Sequence, residues 1–266
     1  RDPEMSRGLG DVYKRQKFVG LDNYVKLFTQ DKLFLKSLFV TFKFAFISVP
    51  LRLIFALFVA MILNRKSRAV PVYRVVYYLP SIIGGSVAVS VMWRNLFTKS
   101  GVLNSILQAM GINCKINWLG NTDTAIYVLI LLYVWQFGSS MLIFLSGLKQ
   151  ISTSYYEAAE VDGAGKIRMF FSITLPLLSP IILFNLIMQI INGFMVFTQA
   201  QIITGGGPVN ETLVYILYLY QNSFKYYEMG YGSAMAWILL VIVGFFTAMV
   251  FRSSKQWVFY ENNTDM

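Results

Sequence analysis

Residues 157–180 read EAAEVDGAGKIRMFFSITLPLLSP, a charged, glycine-containing segment wedged between two long apolar runs. Crossing the hydrocarbon of a bilayer takes about 20 residues, and the flanking runs, 124–148 and 175–203, are each long enough. Within the segment, Glu157-Ala158-Ala159 is followed after three residues by Gly163, and after nine more by Ile173, one residue and Leu175-Pro176. The spacing predicts a short helix over 155–162, interrupted at Gly163, where the chain turns as a Cβ would not allow without strain. That helix offers Glu157, Glu160 and Asp162 to a soluble partner, and small Ala158 and Ala159 allow close approach. Pro176 suits the first turn of the next span.

Working outward, the composition is that of a membrane protein. The 266 residues are 56% hydrophobic and 14% charged, and the mean hydropathy is +0.56, far from soluble averages. Five apolar runs, 38–63, 72–97, 124–148, 175–203 and 230–251, each suffice to cross. Backbone groups in lipid must satisfy their own hydrogen bonds, so runs of this length are helices. The fold expected is an all-α integral membrane protein, a polytopic helical bundle of five spans. It forms one domain over 17–255, containing a loop at 149–174 and followed by a tail at 256–266. Pro50 and Pro80 predict kinks, and Gly84-Gly85 softens the second run. A net charge of +10 invites a nucleic-acid reading, but the basic residues are scattered or sit at span ends, which is the membrane pattern. No nucleic-acid partner is expected. A lone Cys114 and no His exclude an internal disulfide and the commonest metal ligand, so neither metal nor cofactor is expected.

Charge sets the orientation. Arg65, Lys66, Arg68 and Arg74 crowd one connection, Lys149, Lys166 and Arg168 flank the 157–176 loop, and Arg252 and Lys255 follow the last run. The alternate connections carry only Lys99, Lys115 and Lys225. The richer side is cytoplasmic, so the 157–176 loop and the C-terminus face the cytoplasm in a multi-pass arrangement. On the outside, 102–110 has helical apolar spacing, Trp118 is a candidate interface residue, 204–208 forms a turn and 211–224 a helix. A Gly-rich run at 205–207 lacks the Lys-Ser/Thr ending of a phosphate loop. Residues 1–16 are set apart: DVYKRQ at 11–16 is the translation of GATGTGTATAAGAGACAG, which resembles a transposon end used in preparing sequencing libraries. The native protein is expected to begin near Lys17 with an earlier span missing, which would explain lysines on the outer side at 17–36.

No nucleophile, base and orienting group can be assembled here, so no catalytic residue is assigned. In the fourth run, Asn185, Gln189 and Asn192 recur at i, i+4 and i+7, one helix face, with Gln199 seven residues on and Phe194 and Phe197 nearby. Polar groups in a span glue helices or line a path. Either role fits; amides beside aromatic rings suit a hydroxyl-rich solute. Arg52, near the middle of the first run, needs a partner or water.

The pattern of 157–176 resembles the coupling loop of the membrane-spanning subunits of binding-protein-dependent ABC importers. Phe18-Val19-Gly20-Leu21-Asp22-Asn23-Tyr24, Ile116-Asn117-Trp118-Leu119-Gly120 and Ile203-Thr204-Gly205-Gly206-Gly207-Pro208 extend that resemblance to the carbohydrate branch, which includes the maltose, lactose and glycerol-3-phosphate permeases. The resemblance implies the type I permease fold, with the family's first span missing here, and residence in a bacterial cytoplasmic membrane. It implies a second homologous permease, two ATP-binding cassette subunits, an extracytoplasmic solute-binding protein and a sugar substrate. Glu157, Ala158, Ala159, Glu160, Asp162 and Gly163 would meet the ATPase, which alone hydrolyses ATP. The short outer loop lacks the large insertion of the maltose member. Glycerol-3-phosphate, polyamine or another polar solute is the alternative cargo; a non-transport scaffold or sensor, and a membrane-embedded enzyme, are more remote readings.

Overall fold

Asp31 decides where the first long helix begins. Its side chain accepts the backbone N–H groups of Leu33 and Phe34 at 2.9 and 3.0 Å, satisfying two of the donors that every helix start leaves open. The computed structural model describes residues 17–65, 68–112 and 116–259; the segment 1–16, most of the tail, Lys66, Cys114 and Lys115 lie outside them. An amphipathic α1 (Asp22–Thr29) leads into α2 (Lys32–Leu63). The next apolar run is α3 (Val70–Ile83) and α4 (Val87–Leu96), bent by 97°, followed by the short α5 (Val102–Ala109). The third is α6 (Ala125–Trp135) and α7 (Gly138–Leu148), bent by 42°. The loop carries α8 (Thr153–Val161) and α9 (Lys166–Met169) and passes through a π-helical turn (Phe170–Thr174) into α10 (Leu175–Phe194) and α11 (Thr198–Ile203). Last come α12 (Tyr215–Tyr220), a second π-helical turn (Gln221–Lys225) and α13 (Met229–Trp257).

Three helices are long and apolar enough to cross a membrane, or five spans if each bent pair counts as one, and there is no strand among the described residues. This is the all-α bundle that composition predicts. At the center α2 packs against α6, α7 and α10, while α10 also carries α13 and α11 packs on α4. Phe42, Phe194 and Phe246 interlock with ring centroids 5.4–5.7 Å apart, a geometry that adds to area burial.

Several local expectations are corrected. Pro50 sits inside an unbroken α2 and Pro80 inside α3; the break comes instead at residues 84–86. Gly84-Gly85 offer the helix no side-chain packing, and the Ser86 hydroxyl caps α4 by accepting Val89 N–H at 3.3 Å. The third run bends at Gln136–Phe137, which no Pro or Gly-Gly pair announced. The helix expected over 211–224 begins only at Tyr215, because Val214 before it is extended at φ −68° and ψ 152°; farther upstream Val209 and Asn210 hold positive φ of 47° and 62°, a turn conformation. The 205–207 glycines form a turn, as expected, with φ of 59° and 92° at Gly205 and Gly206.

Polar contacts tie α1, α2, α12 and α13 together at one end of the bundle. Tyr218 donates to the second Asp31 oxygen at 2.7 Å, and Tyr231 donates to the same atom. Burial, reinforced by that carboxylate, pushes the Tyr218 hydroxyl well above its ordinary range, keeping it a donor. Lys26 pairs with Glu228 at 3.1 Å and Lys36 with Glu211 at 2.9 Å.

Candidate functional site

The 157–176 loop folds into a capped ridge. The Ser152 hydroxyl accepts Ser154 N–H at 3.3 Å to start α8. At the other end, Gly163 has φ +74°; its N–H reaches the Glu160 carbonyl at 3.0 Å and Ala164 N–H reaches that of Ala159 at 2.9 Å. That pair of bonds is a Schellman stop, which places glycine at this position for its left-handed backbone. The helix predicted over 155–162 therefore exists, extended to Thr153 at its start. Glu157, Ala158, Glu160, Asp162 and Gly163 are exposed and Ala159 is half-buried. Val161 is 89% and Ile167 78% exposed, so apolar side chains stand among carboxylates on the outside of the loop, a surface mixed as protein interfaces are.

This ridge is fastened to a span. Tyr156 and Thr174 share a hydrogen bond at 2.9 Å between hydroxyls, linking α8 to the π-helical turn below α10. The turn has a cause in sequence: Pro176 has no N–H to return to the preceding turn and its ring crowds the carbonyl there, and an inserted π turn relieves both. Tyr156 was not singled out from sequence, because a tyrosine in a loop carries no signal of its own.

The fourth-run polar residues separate. Asn185 and Gln189 are buried on one face of α10. Gln189 donates from Nε2 to Ser140 Oγ at 3.0 Å and accepts from Tyr133 at 3.1 Å, whereas neither amide atom of Asn185 has a partner. Asn192 is exposed and Phe194 is buried in the aromatic cluster. Gln199 is half-buried on α11, beyond the break at residues 195–197. Asn185, Gln189 and Asn192 thus share α10, the first two buried and the third exposed, while Gln199 lies on α11.

Arg52 finds its partner at the unannounced bend. A bent helix frees a carbonyl, and that of Gln136 accepts from the Arg52 guanidinium and from Ser81 Oγ at 2.8 Å. The guanidinium carbon also lies 4.5 Å from the Tyr133 ring centroid, a cation–π contact strengthened by burial. The Gln136 side chain donates to the Gly84 carbonyl at 3.2 Å, so one residue joins the breaks of both bent pairs. Arg52→Leu is expected to lower stability by about 1–3 kcal/mol, the worth of a charged hydrogen bond, because only Ser81 would remain on the carbonyl. An unchanged melting midpoint of the purified variant would sink that assignment.

No group of His, Cys, Asp or Glu able to hold a metal occurs among the described residues. What the geometry defines is a helical membrane protein with an exposed, capped ridge. The chain belongs to the family described as binding-protein-dependent transport system inner membrane component, whose model matches residues 31–256. It is 55% identical over 257 residues to the probable ABC transporter permease protein YesP of Bacillus subtilis, covering 96% of this chain and 83% of that one. It is 35% identical over 243 residues to the trehalose/maltose transport system permease protein MalF of Thermococcus litoralis, covering 90% and 80%. With the sn-glycerol-3-phosphate transport system permease protein UgpA of Yersinia pestis it shares 34% over 248 residues, covering 92% and 83%. Among solved structures, a chain of a bacterial alginate ABC transporter with its pentasaccharide-bound periplasmic protein superposes with TM-score 0.77 at 22% identity, over 90% of this chain and 83% of that one. The fold is thus that of ABC importer permeases.

Proposed function

We propose that this chain is the membrane-spanning subunit of an ATP-driven sugar importer, forming half of a translocation path. The observation that carries this reading is α8, an exposed ridge with a fixed stop at Gly163 and a hydroxyl tether from Tyr156 to the base of α10. A ridge so built moves as a unit with the span it is tied to. Glu157, Ala158, Ala159, Glu160, Asp162 and Gly163 dock in a separate ATPase, and closure of two such ATPases is carried to the membrane. The loop and the C-terminus lie in the cytoplasm of a bacterial inner membrane, where the basic residues gather.

The rest of the machine is a second, homologous permease and a solute-binding protein on the outer side. The solute passes between the two permeases, meeting Asn192 on the exposed face of α10 and Gln199 at its outer end. Asn185 and Gln189 continue the Asn192 stripe where α10 is packed within this subunit, Phe194 lies in the aromatic cluster beside it, and all three become accessible as the helices shift. Sugar is favored by amide and hydroxyl groups in this region and by the carbohydrate permeases among the relatives. Glycerol-3-phosphate, polyamine or another polar solute would use the same machine.

The test is ATP hydrolysis by the reconstituted assembly while its binding protein is offered sugars, glycerol-3-phosphate and polyamines in turn. Stimulation by one sugar class is the expected result. Stimulation by none, with the complex intact, would overturn the sugar reading and leave another polar solute or a non-transport role as scaffold or sensor.

A further inference from the structure

We infer that the cleft between the α2–α3 connection and the start of α8 binds the phosphate headgroup of an anionic phospholipid. The cleft, about 600 Å³, is lined by Arg65 beyond α2, Arg74 on α3, Lys149 beyond α7, and the hydroxyl residues Thr153 and Tyr156. Three cations from three separate elements converge there, and among the described residues no carboxylate lines it. Among the described residues none of the three makes an ion pair, whereas at the outer end Lys26 and Lys36 are each neutralized by a glutamate. The Arg74 Nε is withdrawn from solvent with no hydrogen-bond partner.

An excess of positive charge at one membrane face explains why cations occur there. It does not explain their convergence on one concavity, where they repel each other. An anion in the cleft reverses that repulsion, and guanidinium forks match phosphate oxygens two at a time. Lipid rather than soluble phosphate follows from the walls: Val70, Pro71, Leu148 and Ile151 line the cleft, and α3 continues away from it with Val72, Val75 and Val76 exposed. A diester headgroup can sit among the cations while its acyl chains follow that apolar face. Because Tyr156 both lines the cleft and bonds Thr174, a bound lipid would bear directly on α8. The site depends on no assignment of cargo or ATPase docking.

The experiment is native mass spectrometry of the full chain purified in mild detergent with phosphatidylglycerol or phosphatidylcholine, read as retained lipid. Selective retention of phosphatidylglycerol is expected, falling about fivefold for each cation removed, hence about 25-fold in the Arg65→Gln/Lys149→Gln variant. Both positions are exposed, so folding should hold, and the melting midpoint in phosphatidylcholine checks it. Arg74→Gln should act in the same direction, and Lys225→Gln at the opposite end should change nothing. Undiminished retention in the double variant would overturn the site. Equal stabilization by millimolar inorganic phosphate, with no added effect of phosphatidylglycerol, would overturn the lipid assignment. So would complete displacement of the lipid by a co-purified ATPase, which would give the cleft to that subunit.

Discussion

Gly163→Trp should reduce solute uptake at least roughly tenfold, as blocking a central interface contact does, while the chain stays folded in its membrane. The position makes the two effects separable. Its φ of +74° costs most residues with a Cβ, asparagine and aspartate excepted, about 1–2 kcal/mol, but nothing lies within 4 Å of where that Cβ would go. The side chain therefore starts into open space at Cβ, on an exposed ridge that also carries Glu160 and Asp162. Strain alone would be felt equally by Gly163→Ala, and hardly at all by Gly163→Asn, since asparagine tolerates this backbone. Uptake in proteoliposomes, with melting as control, should rank glycine and asparagine near the top, alanine slightly lower and tryptophan far below. Wild-type uptake by the tryptophan variant would sink the docking role. Equal losses in alanine and tryptophan variants would make the helix stop, not a partner, the explanation.

That ridge was legible because its signals are local. A glycine needed for a left-handed stop and a proline at a helix start each act through their own backbone, so spacing alone placed α8 to within two residues at its start and put its stop at Gly163. The spans were legible for a related reason, since bilayer thickness fixes length and composition fixes burial. Breaks inside spans were legible only in part: Gly84-Gly85 marked the 97° break of the second run, and nothing marked that of the third. Pro50 and Pro80 are the local breakers, yet each lies inside a helix that runs on past it. The bend at Gln136 depends on Arg52 and Ser81 arriving from other helices, information no single run contains. The stripe in α10 failed to stay together for a similar reason. Periodicity says which residues share a face, and it said so for Asn185 and Gln189, but it is silent on where the helix ends, and the break at 195–197 removes Gln199 from that face.

Gly138 is where this tertiary dependence becomes a large, measurable effect. A Cβ there would land on the Tyr77 carbonyl oxygen and 2.7 Å from Tyr78 Cα, so the obstruction is the backbone of α3, which cannot rotate aside as a side chain would. Close approach of this kind is how small residues hold membrane helices together. Here it also sets the polar joint, because Ser139 N–H donates to Ser81 Oγ at 3.0 Å, and Ser81 in turn donates to the Gln136 carbonyl at 2.8 Å. Gly138→Ala should therefore cost about 1–3 kcal/mol, as overpacking a tight interior does, and Gly138→Leu should prevent assembly. Gly244 in α13 supplies the contrast: nothing lies within 4 Å of its would-be Cβ, so Gly244→Ala should be neutral or gain up to about 1 kcal/mol from helix propensity. Melting midpoints of the purified alanine variants decide the matter. Equal midpoints at the two positions would mean that α3 and α7 are not in backbone contact, and the joint linking the two bent spans would fall with that result.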